Sequence, residues 1–393
     1  MELRPRQVTL VLCRRDGEVL GRLDPFEVAS PWRQEAAPVV DACVDRFGVR
    51  PVLLRLLDAE PEGPGGEVTY LAEVDVVPDE VRPWGGRLGD HALRMPWARP
   101  GGPATDLDWA SGAIEAVGRR VSAPPTQVRT WNLSSLWRLP TDGGTVWLKA
   151  VPPFFAHEAA VLRLLDDQPV PELMAGEPGR AVLAHLEGED GYSVGLPGWR
   201  RHVDALVGIQ LAAVERTDAL RAAGVPAVEL VAVAADVRRL LDRRSAGIDG
   251  AVREVIESVL DDTDRIVDVV TDLVPVHTLV HGDAHTGNGR FVDGDVAILD
   301  WGDSFVGHPL LDVAVAESHH PELGSRIVEA WLERWRRAGF DRVGEAWSAL
   351  RPLAHLRSAT VFQHFLDHIE PSERGYHEHD VVPALVAASR RQG

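Results

Sequence analysis

Apolar and polar positions recur with different periods along the chain, and the changes of period divide it. Residues 7–76 read as a small α+β unit. "QVTLVLCRRDGEVLGRL" holds two alternating runs around Asp16-Gly17, a turn signal, and predicts two strands. "APVVDACVDRFG" has helical spacing and stops at Gly48, while "VRPVLLRLL" and "EVTYLAEVDV" predict further strands split by the Pro/Gly-rich "EPEGPGGE". The stretch from "PWGGRLGD" to "MPWARPGGPATD" keeps neither period. A first domain over 1–95 and a linker over 96–104 follow from it.

From about Thr105 the pattern changes. "DLDWASGAIEAVGRRV" is an amphipathic helix, and "VRTWNLSSLWRLPTDGGTVWLKAV" reads as a strand, a turn and a second strand. "FFAHEAAVLRLLDD" is helical and "RAVLAHLEG" is a short buried strand. Roughly 199–272 is helical, with apolar spacings such as Val203, Leu206, Val207 and Val252, Ile256, Val259. "VHTLVHGDAHTGNGRFVDGDVAILDWGD" interrupts the helices, and "RIVEAWLERWRRAG" resumes them. The fold class is α+β: a β-rich segment over 105–187, then a largely helical one over 188–393. No repeat or low-complexity tract is visible, and 393 residues suit about two cores.

Composition changes this picture at three points. The formal charge of −19 repels nucleic-acid phosphates and suits a cationic small molecule, although acidity that serves solubility alone looks the same. Cys13 and Cys43 lack metal-ligand spacing, the N-terminus has no signal-peptide core, and stretches such as "LVAVAADV" are too short to span a bilayer. A cytoplasmic protein with no membrane or nucleic-acid partner is expected. Finally, Lys149 is the only lysine among 41 basic residues, and Asn132 and Asn288 are the only asparagines. A GC-rich coding background explains both scarcities. Against it, a surviving Lys marks a place where the planar fork of Arg fails and a compact charge is needed.

The candidate chemistry lies in His281-Gly282-Asp283-Ala284-His285-Thr286-Gly287-Asn288, followed by Asp300-Trp301-Gly302. Between them "GRFVDGDVAIL" is a hairpin signal, because alternating apolar residues flank Asp293-Gly294. A hairpin folds its ends together, so Asp283, Asn288 and Asp300 should converge at one edge. Two carboxylates and an amide oxygen are hard ligands that suit Mg²⁺ and its phosphates. The five-residue spacing from Asp283 to Asn288 matches that between the catalytic Asp and metal-binding Asn of protein kinases, with "DWG" in place of "DFG".

"HGDAHTGN" followed by "ILDWGDSFVGHPLLDVA" resembles the aminoglycoside phosphotransferase and choline-kinase-like family of small-molecule kinases, over about 105–320 and loosely beyond. The resemblance implies a bilobal protein-kinase-like fold with a small β-rich N-lobe and a largely helical C-lobe. It implies ATP and Mg²⁺ as cofactors, Asp283 as the group that orients and deprotonates the acceptor hydroxyl, and Asn288 and Asp300 as metal ligands. His281 and His285 would buttress the loop, and Asp312 would tie the downstream segment to it. Lys149 stands where the family grips the α/β-phosphates, and Glu158 is the candidate ion-pair partner. "WNLSSL" has no GxGxxG; Ser134 and Ser135 would donate to phosphate oxygens there, or the stretch is an ordinary hairpin turn. "VLAHLEG" resembles the interlobe hinge, with backbone groups near Ala184 and Leu186 facing adenine.

For the acceptor, the resemblance points to the C-terminal helices. Asp303, Glu317, Asp367 and Glu370 are candidate contacts; a cation-binding pocket and a solvated acidic helix end account equally for the acidic run near 367–380. His364, His368, His377 and His379 do not by spacing alone build a Zn site. The first domain's element order resembles a degenerate Nudix fold, since its helix offers only Asp41 and Asp45 where several carboxylates are needed. That predicts a structural or regulatory module without hydrolase activity. The expected function is ATP- and Mg²⁺-dependent phosphorylation of a hydroxyl on a small polar, cationic metabolite or antibiotic of aminoglycoside or amino-sugar type. A pseudokinase that binds nucleotide or a partner protein is the alternative.

Overall fold

The computed structural model describes residues 4–60 and 63–391. Contacts divide the chain into two compact units: 1–156 with 173–185 and 366–378, and 157–172 with 186–365 and 379–393.

The first unit holds two sheets. One is formed by β1 (Arg6–Cys13), β2 (Val19–Arg22), β3 (Phe26–Val28), β4 (Val52–Ala59) and β5 (Gly66–Glu73), in the order β2-β1-β5-β4 with β3 also on β1. β1 and β5 run parallel, and α1 (Ala37–Phe47) ends at Gly48, whose φ of 68° is the left-handed cap that Gly adopts without a Cβ clash. Val8, Leu10, Leu12, Val39, Cys43 and Tyr70 pack between this sheet and helix. Then come α2 (Gly102–Ala116), β6 (Thr126–Trp131), β7 (Ser134–Thr141), β8 (Gly144–Ala150), β9 (Leu173–Glu177) and β10 (Arg180–Ala184). Their sheet is antiparallel in the order β6-β7-β8-β10-β9. The stretch expected to hold two strands holds three, because Asp142-Gly143 makes a second turn. Alternation along β8 buries Val146, Leu148 and Ala150 and leaves Trp147 and Lys149 on the other face. Fully burying a Val or Leu in this way contributes about 1.5–3 kcal/mol.

The expected boundary at 96–104 does not separate compact units. Gln127 of β6 bonds both the N–H and the C=O of Leu53 in β4 (2.9 and 2.7 Å), extending the ladder by a side-chain amide. Residues 366–378 join the same unit: Leu56 N–H donates to Glu373 at 2.7 Å, and Trp131 meets Tyr376 edge-on at 5.6 Å.

The second unit is mostly helical. It contains α3 (Glu158–Leu164), β11 (Glu189–Asp190), α4 (Leu196–Ala213), α5 (Thr217–Ala222), β12 (Ala227–Val228), α6 (Leu230–Arg243), α7 (Gly250–Asp261), α8 (Thr263–Leu273), β13 (Thr278–Val280), β14 (Gly289–Val292), β15 (Asp295–Ile298), β16 (Phe305–Gly307), α9 (Leu311–His319), α10 (Gly324–Arg337), α11 (Val343–His368, apart from its last turn) and α12 (Val381–Arg390). Two three-stranded sheets, β11-β14-β15 and β12-β16-β13, bracket the loop of interest. Among the described residues no helix is long and apolar enough to cross a membrane.

Candidate active site

The loop between β13 and β14 is shaped by its hairpin. Asp293 (φ 47°) and Gly294 (φ 98°) close the β14–β15 turn with both central residues at positive φ, which matches the right-handed strand twist. Gly289 pairs with Ile298, and Leu299 N–H donates to Asn288 C=O at 2.8 Å. That last rung sets Asn288 beside Asp300, which is exposed and itself holds φ 62°, a strained value for a non-glycine residue.

Asp283 and Asn288 are joined directly. Asn288 Nδ2 donates to Asp283 Oδ2 at 2.9 Å and to its backbone oxygen at 3.0 Å. The amide nitrogen is thereby spent, and Oδ1 is the atom left to meet a cation. His285 Nδ1 accepts from Gly287 N–H at 3.0 Å, which fixes the tautomer so that Nε2–H points to Asp283 Oδ2 at 3.3 Å. Both donors act on Oδ2, leaving Oδ1 for an incoming hydroxyl. Burial pushes this carboxyl's pKa up, but the His285 and His281 rings and the Asn288 amide outweigh it and bring it to about 2. The side chain keeps 44% of its surface open, so the donors govern its charge more than desolvation does.

Support comes from beneath. Asp312, at the start of α9, is fully buried and accepts from the His281 and Gly282 N–H groups (2.9 and 2.8 Å) and from Gln210 Nε2 (2.9 Å). Burial raises its pKa against the pull of His281 and these N–H groups. His281 Nε2 bonds Leu299 C=O at 2.8 Å, and its ring lies 4.7 Å from that of buried Trp301. Gly282 sits at φ 86°, and a Cβ there would come within 2.3 Å of Asp303 C=O, so only glycine fits. His202 packs under Gly289 with both ring nitrogens buried; burial, then His281 and His285, lower its pKa to about 3 and keep it neutral.

A model of the phosphotransferase enzyme family matches residues 131–353, more than half of the chain. The chain belongs to that family. No curated protein matches the sequence. Among solved structures, the macrolide 2′-phosphotransferase of Brachybacterium faecium is similar at a TM-score of 0.53 and 19% identity, covering 71% of this chain and 98% of that one. A putative fructosamine-3-kinase from Thermobifida fusca gives 0.51 and 18%, over 72% and 98%. An ethanolamine kinase of Plasmodium vivax gives 0.50 and 9%, over 68% and 82%. At these identities the likeness shows the kinase-like fold.

Elsewhere in the phosphotransferase, the expected site residues are placed as follows by their strands and loops. Lys149 lies on the half-buried face of β8, opposite Leu136 and Ala181 in the ladder. Ala184 ends β10, and the Leu186 carbonyl receives Arg290 Nε at 3.4 Å. Glu158 is 3% exposed and its Oε1 accepts from Trp301 N–H at 3.1 Å, so one oxygen holds the residue after Asp300 in place. Ser134 is half-buried and accepts from Trp131 Nε1–H at 3.0 Å. Ser135 is a correction. Alternation turns it inward, where it is 1% exposed and accepts from Trp137 Nε1–H at 3.1 Å, so its hydroxyl is buried instead of facing the expected phosphate side.

Two acceptor candidates are also corrected. Glu317 is clasped by Arg351 through two bonds of 3.1 Å and by His355 Nε2 at 2.8 Å. Burial would raise its pKa, but these partners hold it down to about 2. Glu370 lies in the first unit and is bonded by Arg94 (2.8–3.1 Å), with Arg55 at 3.6 Å. Both carboxylates are engaged by protein donors through both oxygens. Asp303 is half-buried beside Gly282; Asp367 is half-buried in the first unit. No sequence pattern pointed to His319, whose ring stacks on His285 at 4.0 Å and 6°. Contacts between residues on different elements leave no local pattern to read.

Asn288 Oδ1 and the exposed Asp300 carboxylate fit a Mg²⁺ ion that arrives with nucleotide phosphates and keeps several waters. Among the described residues no group of three or more His, Cys, Asp or Glu is placed to hold a metal ion.

Proposed function

We propose that the protein transfers the γ-phosphoryl group of ATP, with Mg²⁺, to a hydroxyl of a small polar metabolite or antibiotic. The observation that carries this is the Asp283 carboxylate, oriented through one oxygen by Asn288 and His285 and open at the other. Bound Mg²⁺ would neutralise phosphate charge, held by Asn288 and Asp300. Asp283 Oδ1 accepts the hydrogen bond of the acceptor hydroxyl and aims its lone pair at phosphorus. A carboxyl whose donors hold its pKa below the ordinary value is a weak base toward an alcohol, so the proton moves late, once bonding to phosphorus has acidified the hydroxyl. Orientation, more than proton abstraction, is its contribution. Lys149 would grip the α/β-phosphates and Ser134 would cover them.

The expectation of a cationic acceptor is weaker than the sequence suggested, because Glu317 and Glu370 are committed elsewhere. The test is transfer from ATP and Mg²⁺ to a panel of alcohols, followed by ³¹P NMR. A phosphate ester formed only with Mg²⁺ is expected. Nucleotide binding with no ester from any acceptor would favour the pseudokinase reading.

A further inference from the structure

One arginine in the second unit is unlike those that form ion pairs. Arg357 lies on α11, half-buried, with its guanidinium 4.3 Å from the centroid of the Phe305 ring. Phe305 pairs with Val280 across β13 and β16, one residue before the loop begins at His281. Asp303, two residues earlier, presses its carbonyl against Gly282. The guanidinium is therefore stacked over the segment that abuts Asp283.

Among the described residues no group accepts a hydrogen bond from the Arg357 side chain, whereas Arg351, six residues earlier on the same helix, gives two to Glu317 and one to Arg391 C=O. Of the three carboxylates whose charge acts on Arg357, two are engaged elsewhere: the Asp312 oxygens hold backbone N–H groups and Gln210, and Asp283 Oδ2 holds Asn288 and His285; Asp303 is the strongest of the three. Burial draws the pKa of Arg357 down, and the charges of Asp303, Asp312 and Asp283 oppose this. A planar guanidinium that gives no hydrogen bond among the described residues, beside the loop that carries Asp283, suits a carboxylate received in two parallel bonds.

We propose that Arg357 binds the acceptor, and that the acceptor is an alcohol that also bears a carboxylate. This rests on the phosphotransferase reading and sharpens its substrate class. Arg357 is a specificity-determining residue here; Asp283 remains the group that meets the reacting hydroxyl.

The test uses the full-length protein with ATP, Mg²⁺ and matched acceptors: glucuronate, glucose and glucosamine, and glycerate, glycerol and ethanolamine. Ester formation gives kcat and KM, and thermal shift with ADP and Mg²⁺ gives acceptor binding independently of turnover. The carboxylate members should be favoured by about tenfold or more, the scale of a hydrogen bond to a charged group. R357M should erase that preference through acceptor KM, leave KM for ATP within about twofold, and be partly rescued by R357K. A merely structural Arg357 would lower the melting temperature of R357M without changing the order of acceptors, and that result overturns the proposal. So does preference for the amine or neutral members, or no carboxylate-dependent shift in the wild-type protein. If carboxylates bind in an Arg357-dependent way but no ester forms, the phosphotransferase reading fails and the binding assignment stands.

Discussion

Asp283 and Glu370 are both carboxylates ringed by donors, yet they do opposite things. The donors on Asp283 are an amide and an imidazole, both directed at one oxygen, and 44% of its side-chain surface stays open. Those on Glu370 are two guanidinium groups that engage both oxygens, with 6% of its side chain open. Donors directed at one oxygen orient a charge without consuming it, while a buried arginine pair on both oxygens consumes it. A run of acidic residues is therefore poor grounds for a cation pocket until its partners are known.

Breaking each side of this comparison should give opposite readouts. The largest stability effect is expected for Glu370→Ala, which strands Arg94 and Arg55: about 3–5 kcal/mol in chemical denaturation, the cost of breaking a buried pair. Any activity left per folded molecule should keep its acceptor KM; a KM raised tenfold in folded protein would return Glu370 to the acceptor site. Next is Asn288→Ala, which removes the Asp283 clamp and, on the proposed reading, a metal ligand together. Groups outside the ligand shell already matter 10–100-fold, so at least about a 100-fold fall in transfer rate is expected, with a steeper Mg²⁺ requirement. Lys149→Arg should reduce kcat/KM for ATP about tenfold or more despite the retained charge. Wild-type kinetics in that variant would remove the argument from the chain's single lysine.

The smallest effect is a pH dependence. Glu373 is 3% exposed, and burial pushes its pKa from an ordinary 4.5 up to about 8, against the pull of Leu56 N–H, with Glu370 adding to the rise. The folded state thus binds this proton more tightly than the unfolded state. Its contribution to stability is complete below about pH 4.5, falls as pH rises, and is lost through pH 8. Glu373→Gln should match wild type near pH 5 and exceed it at pH 8 in urea melts. A difference that does not change with pH would mean the carboxyl is ionised throughout.

The candidate catalytic loop was legible because its geometry is local. Asp293-Gly294 announces the hairpin, and the hairpin alone carries Asn288 to Asp300. The kinase-like fold could be read from the same motif. Pairings between distant positions could not. Glu317 meets Arg351 34 positions away and Glu370 meets Arg94 276 away, and neither separation leaves a period in the sequence. The same is true of Gln127 bridging Leu53, which merges two segments that composition had divided. Ser135 was a local error: strand alternation already distinguished it from Ser134.

The most direct measurement compares wild type with Asp283→Ala and Asp283→Asn for ester formation from ATP and Mg²⁺, alongside nucleotide affinity by calorimetry. The account predicts an about 10²–10⁴-fold loss of transfer in both variants with nucleotide affinity essentially unchanged. Transfer at the wild-type rate in either variant would contradict it.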